Sequence, residues 1–288
     1  MKYNRDGSPD RQQARHQNLM RCVKQLQQRG YGKRWDASKL GKREVSLWVD
    51  DWRTQGLSHR TITNRMVDIR WLATKVGRLD NIPSNKDIGI GLRKNAVNYG
   101  HNKAVAIDRH KLASVPERER LITELRVEFG LRTQEAIKFQ HEYATKIAGY
   151  ITLKGSWTKG GRPRSVAITH ERQVDVLKRV AQYQQQQGDK SMIPHHRRFK
   201  SYYRDYNEVR EKAGVLGHEY RHQWAQDRFK AVSGGIQAPH AGGTPYQDLT
   251  PEQQQRWDTA AQVVNQELGH GDKRADITAN YIGAKTSE

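Results

Sequence analysis

The chain has 288 residues, and its 51 Lys and Arg against 31 Asp and Glu give a formal charge of +20 and a pI of about 10.1. Because bound cations displace counterions from phosphates, this excess favours nucleic acid as the partner over a generic basic protein of the ribosome or a membrane surface. The single cysteine, Cys22, excludes an intrachain disulfide and a cysteine-based zinc site, and no apolar run suits a signal peptide or a membrane span. We therefore expect a cytoplasmic protein that is nucleoid-associated when bound to DNA.

The first third of the chain is predicted to be helical, beginning near residue 10. Ser58 is a good N-cap residue for one of these helices. On that helix the outer basic positions suit an ordinary solvated face or a DNA-facing surface equally well: Arg60, Arg65, Arg70 and Lys75. Apolar residues recur at helical spacing in three stripes, namely Leu19, Val23 and Leu26 with Met20 beside them; Val45, Trp48, Val49 and Trp52; and Ile62, Met66, Ile69, Leu72, Ala73 and Val76.

A linker is expected between two domains. Residues 78–107 lack sustained periodicity and contain Pro83, several Gly and Asn, and the basic stretch 91–94, which leaves room for one short helix. We place the boundary near residue 105. Residues 1–105 would form a helical domain with its linker, and residues 106–288 a second domain.

The second part is predicted to be mainly helical with one small β element. Two short β-type runs, 150–153 and 165–168, flank a Gly-Gly turn region, which is typical of a β-hairpin. A Gly- and Pro-rich stretch at 233–248 is interpreted most simply as a surface loop, with a DNA contact or a subunit contact as the alternatives. Helices are expected over about 108–140, 170–187, 197–213 and 218–232.

A further helix is predicted to begin after Thr250. Thr250 can cap it, Pro251 suits its first position, and Gln253 completes a capping box. The overall expectation is a mainly α fold with a small β-sheet, in the α+β class.

Several residue types in the second part suit metal-free cleavage of a phosphodiester. Guanidinium groups hold non-bridging phosphate oxygens well, because their planar fork matches phosphate bidentately. The reaction also needs a nucleophile, a base for its proton and an acid for the leaving 5′ oxygen. Arginine, lysine, histidine and tyrosine together can fill every one of these roles.

Five short segments, in order over about 130–281, resemble the tyrosine recombinase family of phage-type integrases. Each segment alone is a common pattern, whereas five in the family's order are specific. They are Gly130-Leu131-Arg132-Thr133-Gln134-Glu135-Ala136, Thr158-Lys159-Gly160-Gly161-Arg162-Pro163-Arg164, His218-Glu219-Tyr220-Arg221-His222, Leu268-Gly269-His270, and Tyr281.

The resemblance implies how the phosphate would be handled. Arg132 and Arg221 would clamp the scissile phosphate, and His270 would hydrogen-bond to it. Lys159, carried by the hairpin, would protonate the 5′-hydroxyl leaving group. Glu135 would orient the site without reacting.

The resemblance also implies the nucleophile. Tyr281 would form a 3′-phosphotyrosine bond, with His218 as its base or proton relay, and rejoining would need no ATP. The 11 residues between His270 and Tyr281 slightly exceed the family's usual spacing, and residues 271–274 could hold the excess. Many relatives dock a longer C-terminal tail on a neighbouring subunit, so tail-mediated assembly and the choice of cis or trans attack stay open.

By this resemblance, residues 1–105 would be the family's helical core-binding (SAM-like) DNA-binding domain with its linker, and residues 106–288 its catalytic domain. The implied function is site-specific DNA recombination, an integrase activity that integrates or excises a mobile element without a cofactor or metal. The partners would be double-stranded recombination sites, bound by a homotetramer in which each chain forms a C-shaped clamp, with an accessory directionality factor. The alternatives are a non-catalytic DNA-binding protein that retains the fold and a type IB topoisomerase. A metal-dependent nuclease is less favoured, since His195-His196 has no carboxylate cluster beside it.

Overall fold

The structure is a computed structural model that describes residues 6–32, 35–90, 102–271 and 275–285. The chain divides into two compact units, residues 1–96 and 97–288. The basic stretch 91–94 lies outside the described residues, and the domain limit near residue 105 stays a prediction. No helix of the described ranges is long and apolar enough to cross a membrane.

The described residues of the first unit form three α-helices, α1 (Pro9–Gln28), α2 (Lys42–Thr54) and α3 (His59–Lys75). The cap predicted for α3 is confirmed, because Ser58 Oγ accepts a hydrogen bond of 3.2 Å from the Thr61 amide. All four residues of the second apolar stripe are buried in this unit's core. Two of the outer basic residues serve the fold: Arg65 lies over the Trp52 ring at 5.3 Å, and Arg70 donates to the Pro83 carbonyl at 3.0 Å.

The first apolar stripe is partly confirmed, because Leu19 and Leu26 are buried while Val23 is half-buried. Met20 is 44% exposed, whereas Cys22 is buried between Leu19 and Leu26. Positions 19, 22 and 26 are separated by three and four residues and so share one helix face, while position 20 is rotated away by about 100°.

The second unit is helical around one β-hairpin. Strands β1 (Tyr150–Leu153) and β2 (Arg164–Ala167) pair antiparallel, with Leu153 opposite Arg164. The hairpin is confirmed, although β2 begins one residue earlier than predicted. The helices are α4 (Arg109–Ala113), α5 (Glu117–Phe129), α6 (Thr133–Ile137), α7 (His141–Ala144), α8 (Glu171–Gln187), α9 (Phe199–Lys212), α10 (Glu219–Val232), α11 (Pro251–Leu268) and α12 (Ala275–Ile282).

Local chain chemistry explains where these helices begin and end. The expected helical run over 108–140 is divided, because Pro116 precedes α5 and Gly130 ends it in the left-handed region. The capping box of α11 is confirmed by hydrogen bonds of 3.3 and 2.9 Å between Thr250 and Gln253. Helices α5, α10 and α11 form the centre of the core and bring their ends to the candidate site.

The stretch 233–248 is more than a surface loop. It contains two short 3-10 turns, Pro239–Ala241 and Tyr246–Asp248, and Ala238 is buried in the core. The first turn packs on α12, so closely that a Cβ atom on Gly283 would lie 2.6 Å from the Pro239 Cβ. Composition favoured a loop here, but the packing depends on a helix some 40 residues further along the chain.

Candidate active site

Tyr281 lies on α12 with its ring buried among side chains from other elements. Its hydroxyl oxygen is 3.0 Å from Nε2 of His218, the residue that precedes α10. Loss of hydration, and then the positive charges of Arg221, Arg126 and Arg132, lower the pKa of His218 to about 4. The imidazole beside the phenol is therefore neutral near pH 7 and can accept a proton.

A second histidine, His222, stacks on the same ring. Its centroid is 4.4 Å from that of Tyr281, and the planes are inclined by 27°. Burial first, and then neighbouring positive groups, lower the pKa of His222 to about 4. His222 belongs to the box that sequence analysis quoted, but no role was predicted for it; its position one turn after His218 on α10 is the signal that could have indicated one.

Arg221 lies in the first turn of α10 and is buried. Its Nη2 donates to the Leu268 carbonyl at 2.6 Å and its Nη1 donates to the Gly130 carbonyl, while Nε has no hydrogen-bond partner within the described ranges. Its guanidinium carbon is 5.7 Å from the centre of the Tyr281 ring. Burial and the charge of Arg132 lower its pKa to about 10, so it stays charged near pH 7.

Arg132 is held at the start of α6 by Glu135. The carboxylate accepts from the Arg132 backbone amide at 2.7 Å and from its Nη1 at 2.9 Å. Arg132 Nη2 donates to the Leu268 carbonyl at 3.3 Å, the same oxygen that accepts from Arg221. The carboxyl-terminal end of α11, where carbonyl oxygens lack helical partners, thus brings the two guanidinium groups together.

Arg164 ends the second of the five motif segments, and no role was predicted for it. It donates to both oxygens of Glu135 at 2.7 Å and to the Glu267 carbonyl at 2.6 Å. Burial raises the pKa of Glu135, but hydrogen bonds and charge from Arg164, followed by the charges of Arg221 and Arg132, lower it to about 2.

Two glycines allow the close packing around these arginines. Gly130 has a φ of +60°, and a Cβ there would lie 2.4 Å from the Trp224 ring. Gly269 ends α11 with a φ of +71°, and a Cβ there would lie 2.8 Å from Arg164 Cδ. Both positions require glycine on conformational and steric grounds.

His270 follows the glycine that ends α11 and is buried. Its Nδ1 lies 3.3 Å from the hydroxyl of Thr278, which donates to Asn265 at 2.6 Å. The His270 ring centroid is 5.3 Å from that of Tyr281. The stretch 272–274, where the extra residues before the tyrosine were expected, lies outside the described residues.

Lys159 stands apart from this cluster. It is exposed in the connection between β1 and β2, and it makes no hydrogen bond or ion pair with the part of the chain that the structure describes. The structure therefore brings together five of the six predicted side chains, Arg132, His218, Arg221, His270 and Tyr281.

The arrangement places the Tyr281 phenol beside the neutral imidazole of His218 and near two neighbouring guanidinium groups. Such a site can attack an anionic phosphorus centre and stabilise the charge that develops on its oxygens. The described residues contain no group of three or more His, Cys, Asp or Glu able to hold a metal ion. His195 instead contacts Asp189, with 3.0 Å between Nδ1 and Oδ1.

Two family models match the sequence of this chain. An integrase model matches residues 94–227, and a model described as phage integrase, N-terminal, matches residues 2–82. The chain therefore belongs to the phage integrase family of tyrosine recombinases. No curated relative matches by sequence. Membership of the family supports site-specific recombination as the broad activity.

Solved structures share the fold at low sequence identity. A lambda integrase dimer bound to a COC′ core site has a TM-score of 0.60 at 13% identity, covering 99% of this chain and 92% of that one. The Tn1549 transposon integrase with circular intermediate DNA gives 0.56 at 14%, covering 99% and 93%. A post-cleavage complex of XerH recombinase with difH gives 0.54 at 15%, covering 86% and 67%. The predicted mainly helical α+β fold with a small sheet is confirmed.

Proposed function

We propose that this protein is a site-specific DNA recombinase that integrates or excises a mobile element through a 3′-phosphotyrosine intermediate at Tyr281. One observation carries the proposal: the Tyr281 hydroxyl lies 3.0 Å from His218 Nε2, beside the buried guanidinium of Arg221. The net charge of +20 supports a DNA partner. Solved proteins of the same fold are bound to core-site, circular intermediate and difH DNA.

Arg132 and Arg221 bind the non-bridging oxygens of the scissile phosphate in this proposal. Both are anchored by a backbone carbonyl of α11, so their positive charge is positioned before the substrate arrives. His270 donates a further hydrogen bond to the phosphate. The negative charge that develops on the phosphate oxygens then meets groups that need little rearrangement.

Cleavage exchanges one phosphoester for another. The Tyr281 oxygen forms a bond to phosphorus, the bond from phosphorus to the 5′ oxygen breaks, and His218 accepts the phenolic proton. Lys159, brought to the site by its hairpin once DNA is bound, gives its proton to the 5′ oxygen. Attack by a 5′-hydroxyl from another strand reverses these steps, and no external energy source is required.

We propose attack in cis. The Tyr281 carbonyl accepts a hydrogen bond of 3.0 Å from Gln226, and Lys285, just after α12, binds Asp258 at 2.7 Å. Helix α12 and the residue Lys285 that follows it are therefore held by side chains of their own chain. A mixture of Tyr281→Phe and Arg221→Ala proteins should therefore form no covalent adduct on a site pair. Restored adduct formation would instead indicate trans donation of the tyrosine.

The decisive experiment traps the covalent complex. The protein is incubated with fragmented genomic DNA in EDTA, protein-bound DNA is recovered, and the attached ends are sequenced. Adducts should form at a recurrent sequence with wild type and with Tyr150→Phe, an exposed tyrosine control, and should be absent with Tyr281→Phe. Sequence-specific binding without an adduct would favour a non-catalytic DNA-binding protein, and strict Mg²⁺ dependence would contradict the mechanism.

The same preparation tests the topoisomerase alternative and the assembly. Relaxation of any supercoiled plasmid at random sites would indicate a type IB topoisomerase. We propose that four protomers act on two sites and that an accessory protein sets the direction. Native mass measurement of the complex on paired sites, in low and then raised salt, reports the stoichiometry, and binding should weaken steeply with salt.

A further inference from the structure

One buried polar side chain beside the candidate site binds two elements of the site but has no role in the proposed reaction. Arg164 is buried at the start of β2, and each of its three guanidinium nitrogens donates a hydrogen bond. Two of them form a bidentate pair with Glu135, and the third meets the end of α11. A surface arginine would keep some of its donors for solvent, whereas these are committed to two elements of the site.

The charge balance shows what the pair with Glu135 does. Glu135 is fully buried, and its only side-chain partners within the described ranges are Arg132 and Arg164. Without Arg164, the carboxylate would be neutralised by Arg132 alone, and Arg132 would have little charge left for a ligand. With Arg164 present, three guanidinium groups including Arg221 face one carboxylate, so the cluster keeps an excess of positive charge toward a phosphate.

The geometry adds a mechanical link. Arg164 binds the Glu267 carbonyl at 2.6 Å, and the next carbonyl, that of Leu268, holds Arg221 and Arg132. Arg164 also pairs with Leu153 in the hairpin whose connection carries Lys159. One side chain therefore joins the base of the lysine hairpin to the helix end that fixes both arginines.

We infer that Arg164 is a positioning residue of the recombinase site, which neutralises Glu135 so that Arg132 stays free to bind phosphate and which anchors the Lys159 hairpin. This inference rests on the proposed function. Arg164 acts through these residues and does not itself contact the DNA.

The test uses a nicked duplex that carries the site recovered by covalent trapping. For each variant, the affinity for the duplex and the single-turnover rate of adduct formation are measured separately from about pH 6 to pH 9. Arg164→Gln should lower the rate about 100-fold while the Kd changes less than about threefold. Arg164→Lys should lose about tenfold, since it restores the charge without the planar fork.

Two comparisons separate positioning from folding. Arg118→Gln removes another largely buried arginine–carboxylate pair, with Asp189 at 2.8 Å, away from the site, and should keep the wild-type rate. Arg164→Gln/Glu135→Gln removes both partners and should be about tenfold faster than Arg164→Gln alone. The rate of Arg164→Gln should also rise toward acidic pH: burial raises the pKa of Glu135 once Arg164 no longer lowers it, and protonation of Glu135 then releases Arg132. The double variant should lack this rise.

Each other result has a defined meaning. Equal slowing by Arg164→Gln and Arg118→Gln, or a double variant no faster than Arg164→Gln, would overturn the inference and leave the proposed function standing. If Arg164→Gln does not fold, Arg164→Lys takes its place in both comparisons: slowing equal to that of Arg118→Gln, or a double variant slower than its expected rate of about one tenth of wild type, would overturn the inference. Absence of any adduct from wild type would overturn both proposals.

Discussion

Replacing Gly130 by alanine tests how tightly the segment that leads into Arg132 is packed. The new Cβ would lie 2.4 Å from the Trp224 ring, and the backbone φ is +60°. A left-handed non-glycine residue costs about 1–2 kcal/mol, and overpacking of a core costs about 1–3 kcal/mol. The free energy of unfolding should therefore fall by about 2–5 kcal/mol.

Gly188→Ala is the matched control. Gly188 also ends a helix in the left-handed region, with a φ of +65°, but nothing lies within 4 Å of the position that an added Cβ would take, so only the backbone cost of about 1–2 kcal/mol applies. Urea unfolding followed by tryptophan fluorescence measures both variants. Since the Gly130 carbonyl accepts from Arg221, Gly130→Ala should also slow adduct formation. Equal destabilisation of the two variants, with an unchanged cleavage rate, would refute the steric argument.

Three other predictions concern acid titration and the support of α12. Glu135 has a pKa of about 2 in the folded protein, so the stability it contributes is present above its unfolded pKa and is lost as pH falls. The free energy of unfolding in urea should fall by about 3 kcal/mol more between about pH 5 and pH 2 in wild type than in Glu135→Gln, and parallel pH slopes for the two proteins would contradict this. Burial lowers the pKa of His222 to about 4, so its contribution to stability is complete above about pH 6.5 and is lost toward pH 4. His222→Phe, which keeps a ring stacked on Tyr281, should remove about 3 kcal/mol of this pH dependence of the free energy of unfolding, and an unaltered slope would count against it. Gly283→Ala should push the Pro239 turn off α12 and slow adduct formation about tenfold, whereas Gly235→Ala, with a matching φ of +103° and open space, should not; similar rates for the two would exclude steric support.

Local features of this fold could be predicted from sequence because their causes lie within a few residues. Ser58 and Thr250 accept hydrogen bonds from amides three residues later, and the hairpin follows from two β-type runs beside a Gly-Gly pair. In the α1 stripe, helical spacing from Leu19 and Leu26 already indicates Cys22 as the buried residue, and the prediction placed Met20 there instead.

The candidate site was only partly predictable. Tyr281 was found because ordered motifs precede it, although its own surroundings, Ile277 and Ile282, suit a core residue equally well. The role of Arg164 depends on partners 29 and 103 residues away, and no local pattern encodes that meeting. Lys159 was assigned by motif alone, and its approach to the phosphate stays a prediction.

Gly269 ends α11 in a conformation that favours glycine, and its missing side chain leaves the space that the stem of Arg164 fills. The two positions therefore share one volume, although 105 residues separate them in the chain. A change at either position alters what the other can tolerate. Among homologous chains we expect these two positions to covary, with larger residues at the helix end only where the strand position carries a shorter side chain, and an alignment of diverse relatives can check this.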